Sequence, residues 1–227
     1  MTTEENKKYY LYELKMFDLN IVSLIIFAVI IFLTTLLVES NVISINEEPF
    51  SMIFILYIPY LFLHEILHAL SYTIHGANLK NITFGIHLEK GVLCCLCKQN
   101  ISRKNILISL IYPFFFIGIV TYIIGLIFND IILIVLSILN IVGCSGDLVM
   151  FFDFLKLKDF EYSEYDNPTA FGLYSSKDLS NKKMFGLRYI ETKDSLEIKN
   201  LKKLQYSKLS IIVIILLFIL GIILLFV

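Results

Sequence analysis

The residues best suited to chemistry lie in "LFLHEILHALSYTIHG", residues 61–76. His64-Glu65-Ile66-Leu67-His68 has the form H-E-x-x-H. On a helix, positions i and i+4 share a face about one turn apart. Two imidazoles so placed can close on one Zn²⁺ at about 2.0–2.1 Å. Glu65, three residues before His68, leans toward the same face. There it can take a proton from a metal-activated water and pass it to a leaving amine. A metal that lowers the pKa of water toward ~7 supplies hydroxide at neutral pH. The bland alternative is a buried hydrogen-bond cluster with no metal.

Catalytic zinc usually takes three protein ligands and keeps one position open. His75 and His87 are candidates for the third, one at the end of the apolar segment and one in the connection that follows. Asp147, in "NIVGCSGDLVMFF", is the better candidate: it shares a spanning segment's apolar context and a similar depth with His68. Gly143, Ser145 and Gly146 around it would let helices approach closely. Asn140 is seven residues before Asp147 and so on the same helical face. It is a candidate to bind a substrate carbonyl or to join two helices.

The elements carrying these residues read as membrane helices. The 227-residue chain is 57% hydrophobic and only 17% charged, with a mean hydropathy of +0.78. Those values point to an integral membrane protein. A formal net charge of −1 gives no basis for nucleic-acid binding. Five apolar segments reach spanning length, at 20–38, 51–74, 106–128, 131–152 and 209–227. A charged side chain at mid-membrane costs roughly 2.5–3.5 kcal/mol, so one that persists there is paired or functional. The polar N-terminus has no cleavage-site pattern and reads as a retained arm before a first anchor. Lysine and arginine alternate between the loops: Lys7, Lys8 and Lys15 precede the first segment, and the loop 39–50 has none. Lys80, Lys90, Lys98, Arg103 and Lys104 follow the second segment, and 156–208 is lysine-rich. This bias places the N-terminus in the cytoplasm and the C-terminus outside.

Residues 79–99 alternate, with Ile82, Phe84, Ile86 and Leu88 on one face. Glu89-Lys90-Gly91 is a turn signal, which predicts a β-hairpin at the cytoplasmic face. Its edge could pair with an extended peptide. Pro113 predicts a kink or a late helix start. Cys94, Cys95, Cys97 and Cys144 lack structural-zinc spacing and read as free thiols. The expected organisation is an N-terminal arm (1–19), a membrane core (20–152) with the hairpin at 79–99, a cytoplasmic segment (153–208) and a C-terminal anchor (209–227). In fold class this is an all-α polytopic membrane protein of about five transmembrane helices with a short hairpin.

With these residues in place, the chain resembles intramembrane zinc metalloproteases of the site-2 protease type, and more closely the zincin peptidases, a compact family of bacterial membrane proteins. The matching stretches are "HEILHAL" at 64–70, the hairpin region, "YP" at 112–113, "SGDL" at 145–148 and "YDNPTAFGLY" at 165–174. The site-2 type usually has Asn-Pro-x-x-Pro-Leu-Asp-Gly around its aspartate; here Leu148 follows Asp147 and no proline precedes it. The resemblance implies zinc on His64, His68 and Asp147, with Glu65 as general base. It also implies hydrolysis of membrane-inserted or membrane-adjacent polypeptides near the cytosolic face of a bacterial cell membrane. The competing reading is a non-catalytic metal-binding or regulatory membrane protein. A transporter fits less well, because no doubled pattern of interrupted helices is present. Asp166, Asn167 and Pro168 read as a turn.

Overall fold

A computed structural model describes residues 7–41, 50–87, 92–164 and 170–193. Helix α1 (Met16–Glu39) follows strand β1 (Lys8–Leu14). Leu19 is its one buried residue, while Phe17, Leu24 and Phe32 are well exposed. An apolar helix with bare sides is what a lipid-facing span requires. Helix α2 (Phe50–Ile74) carries the H-E-x-x-H segment in its C-terminal half. The β2–β3 hairpin (Ile82–His87 with Val92–Cys97) follows, antiparallel, with Phe84 opposite Cys95. Its turn, 88–91, lies outside the described residues.

After the short strand β4 (Ile101–Ser102), Ser102 caps helix α3 (Arg103–Pro113). A π-helical stretch (Phe114–Val120) continues it into α4 (Thr121–Phe128). Pro113 therefore neither delays the helix start nor ends the helix. It marks the change to π-helical turns, which are frequent at functional sites. Gly125 faces Ile134 and Gly118 faces Ile141, so close that an added Cβ would lie 2.8 Å from each isoleucine. Those two glycines let the helix pack against α5 (Ile131–Gly143). Helix α6 (Ser145–Lys156) follows directly.

The expected all-α architecture of five spans is not what forms. Among the described residues two helices are long and apolar enough to cross a membrane: Met16–Glu39 and the continuous Arg103–Phe128. The stretch expected to span at 131–152 is two helices bent by 46°, a third crossing only if counted as one. The bend falls at Cys144, whose amide donates to Asn140 O at 2.9 Å and closes α5. The expected segment 209–227 lies outside the described residues, as do Asp166, Asn167 and Pro168.

The larger departure is a five-stranded antiparallel sheet in the order β4-β5-β6-β1-β7. It joins the N-terminal arm to strands β5 (Phe160–Glu164), β6 (Ala170–Ser175) and β7 (Leu187–Lys193). Tyr12 pairs with Phe171 on one side and Tyr189 on the other. "KYYLYEL" is rich in strand formers, and strand alternation sends Tyr10 and Tyr12 to one face and Tyr9 and Leu11 to the other. The first face packs with Ile106, Leu107, Leu110, Met150 and Phe154 in the main core. The sheet thus buries one side of α3 and of α6.

Candidate metal centre

His64 and His68 project from one face of α2, as their spacing demands. Asp147 sits in the first turn of α6, where the positive end of a helix favours a carboxylate. The bend at Cys144 puts that helix start beside α2. Asp147 Oδ2 lies 3.3 Å from His64 Nε2 and 3.4 Å from His68 Nε2. The two Nε2 atoms are 3.2 Å apart. A tetrahedral metal with bonds of 2.0–2.1 Å holds its ligand atoms about 3.3 Å apart. The three edges match that triangle, and this is the group of metal-ligating side chains found among the described residues.

The outer nitrogens explain how the inner ones are aimed. His68 Nδ1–H donates to the Ser109 carbonyl oxygen at 3.0 Å, with the Ser109 hydroxyl at 3.4 Å. His64 Nδ1 faces Asn140 Oδ1 at 3.0 Å. With their protons on Nδ1, both rings present Nε2 lone pairs to the shared point. Two lone pairs and a carboxylate converging there would repel one another unless a cation or a proton sits between them. Such outer partners are typical of metal-binding histidines.

Glu65 is 7% exposed and accepts a hydrogen bond from the Cys95 backbone amide of β3. The hairpin therefore lies over the H-E-x-x-H segment. A cavity of about 310 Å³ opens beside the centre. Leu93–Leu96 of β3 form one wall, Met16, Leu19 and Ser23 of α1 another, and Phe171 of the sheet closes a side. Ser23 Oγ donates to Ser145 Oγ at 2.7 Å, tying α1 to α6 at its rim.

Of the residues singled out in the sequence, His64, Glu65, His68, Asp147 and Asn140 are gathered here. His75 is not: its Nδ1–H donates to Ser71 O within its own helix at 2.7 Å. The side chain of His87 lies outside the described residues. Gly143 and Gly146 do not bring helices into contact, since an added Cβ would meet nothing within 4 Å. They line the cavity and leave it room. Cys144 Sγ lies 3.8 Å from His64 Nδ1. Ser109 was missed. It stands four residues before Pro113, which leaves its carbonyl without a helical donor, but the sequence does not say which side chain meets it.

Residues 57–160 are similar to a protein family described as "Putative zincin peptidase". That stretch contains His64, Glu65, His68 and Asp147, and the likeness supports a zinc-dependent peptidase of zincin type. No curated protein and no solved structure matches the chain.

Proposed function

We propose that the protein is a membrane-embedded zinc metallopeptidase that hydrolyses polypeptides inserted in or lying against the bilayer. The observation that carries this reading is the triangle of His64 Nε2, His68 Nε2 and Asp147 Oδ2, with edges of 3.2–3.4 Å beside a buried Glu65. His64, His68 and Asp147 hold the metal. Bound zinc supplies a Lewis acid that polarises a carbonyl and activates water. The Glu65 carboxylate takes the proton of the attacking water and delivers it to the departing amine nitrogen.

The Cys95 amide of β3 donates to Glu65, which brings the hairpin up to the H-E-x-x-H segment. The same contact indicates that the edge of β3 remote from β2 faces the site. An extended segment can add to such an edge through backbone hydrogen bonds. A transmembrane substrate must first unwind, because its carbonyls are otherwise bonded within its own helix. Leu14, Leu19, Leu96 and Phe171 give the cavity apolar wall for the side chains of such a segment. Cleavage near the cytosolic face, with the N-terminus in the cytoplasm, follows from the lysine distribution.

The test uses the full chain, purified in detergent and reconstituted in liposomes with a mixture of single-span reporter peptides. Wild type should hold close to one zinc per chain and cleave some reporters, as read by mass spectrometry. His64→Ala and Asp147→Ala should lose the zinc. Glu65→Gln should keep the zinc and lose cleavage by at least about 100-fold. Equal cleavage by wild type and Glu65→Gln would reject the mechanism. Zinc without cleavage of any reporter would favour a non-catalytic metal-binding or regulatory membrane protein.

A further inference from the structure

Both histidines of the centre take their orientation from one short stretch of α3. In an α-helix the carbonyl of residue 109 accepts from the N–H of residue 113. Residue 113 is proline and has no N–H. The Ser109 carbonyl thus lacks its ordinary helical donor at a fully buried residue, where an unpaired acceptor is costly. His68 Nδ1–H fills that place at 3.0 Å. A carbonyl only accepts, so the nitrogen facing it must carry the proton. In the neutral ring Nε2 then keeps its lone pair, and Nε2 is the atom that faces His64 and Asp147.

The same proline reaches His64 by its other backbone group. Pro113 O accepts from Asn140 Nδ2 at 3.2 Å. The –NH₂ end of the amide is thereby committed to Pro113, and its oxygen end turns toward His64 Nδ1 at 3.0 Å. Asn140 Nδ2 also lies 3.6 Å from Cys144 Sγ, a weak acceptor that agrees with this orientation. The amide oxygen only accepts, so His64 Nδ1 carries a proton as well.

We propose that Pro113 is a positioning residue for the metal centre: its missing N–H orients His68 through Ser109, and its carbonyl orients His64 through Asn140. Both rings are held with the proton on Nδ1 and the lone pair of Nε2 on the metal side. The inference rests on the metal-site reading above, but its hydrogen bonds can be read without metal.

The experiment compares three forms of the full chain in detergent. They are wild type, Pro113→Ala, and a form with lactic acid at position 113. Alanine restores an N–H that competes for Ser109 O. Lactic acid keeps alanine's side chain but has an ester oxygen where the N–H would be. Two quantities are measured: ¹⁵N spectra of the metal-free, histidine-labelled protein at a pH where both imidazoles are neutral, and zinc affinity by chelator competition. Wild type should show Nδ1–H for His64 and His68. Pro113→Ala should give a mixture of tautomers at His68 and bind zinc about 10–100-fold more weakly. The lactic acid form should regain most of both. Wild-type tautomers and affinity in Pro113→Ala would overturn the proposal, and so would a lactic acid form no better than alanine. If Pro113→Ala does not fold, the wild-type spectrum decides, since an Nε2–H form at either histidine overturns it. Wild type that binds no zinc but shows both Nδ1–H tautomers would reject the metal-site reading while upholding the hydrogen bonds that run from Pro113 to the two histidines.

Discussion

Asn140 shows how much a single side chain's role depends on its neighbours. By type and position it suited either a substrate carbonyl or a helix contact. In the fold, Oδ1 faces His64 Nδ1 and Nδ2 donates to Pro113 O. We read it as a positioning residue for His64, and the distinction can be measured with no substrate present. Asn140→Leu should lower zinc affinity roughly 10–100-fold, the usual effect of losing an outer partner of a metal ligand. Unchanged zinc affinity would return Asn140 to the substrate side. His64, Glu65 and His68 were legible because one helix fixes their relation. Ser109 and Asn140 were not legible as their partners, because they come from two other helices.

At the scale of elements, the placement of α6 decides whether Asp147 reaches the histidines. Asp153, 1% exposed, accepts from the Phe185 and Gly186 amides at 3.0 and 2.9 Å and pairs with Lys156 at 2.7 Å. Gly186 O in turn accepts from the Lys15 amide at 2.8 Å, at the junction of β1 and α1. The loop before β7 thus clamps the ligand-bearing helix to the sheet. The clamp is close: a Cβ on Gly186 would lie 2.0 Å from Val149 Cγ1, two residues past Asp147. Gly186→Ala should cost about 1–3 kcal/mol by overpacking. It should also weaken zinc binding by pushing on the turn of α6 that carries Asp147. Val149→Ala in the same chain should recover part of both losses. Thermal unfolding in detergent and chelator competition measure the two effects. Full zinc affinity in the single variant would show that the clamp does not set the position of α6.

The described residues combine two helices long and apolar enough to cross a membrane with a sheet that packs on α3 and α6. Phe17 and Leu24 near the start of α1, and Ile127 and Phe128 at the end of α4, are all more than 60% exposed. Bare apolar sides on spanning-length helices belong in a bilayer. The protein should therefore stay with the membrane fraction through an alkaline carbonate wash and be released by detergent. Release by carbonate would contradict a membrane-spanning form. The sheet meanwhile supplies Phe171 to the cavity and much of the core around α3 and α6.

The division between what was readable and what was not follows the range of the interactions. Helix hydrogen bonds and the i, i+4 relation are local, so the apolar runs 20–38 and 106–128, which lie within helices 16–39 and 103–128, and the shared face of His64 and His68 were determined by the sequence alone. The β2–β3 hairpin, also local, was readable from its alternation. The five-stranded sheet was not, although "KYYLYEL" has a strand's composition. Its partners lie at 170–175 and 187–193, more than 150 residues along the chain. Strand pairing at that distance leaves no periodic mark in either segment. Nor did composition reveal the break at Cys144, since an apolar run reads alike whether straight or bent. Tertiary packing alone decided that bend, and with it the meeting of Asp147 with two histidines whose outer nitrogens were already engaged.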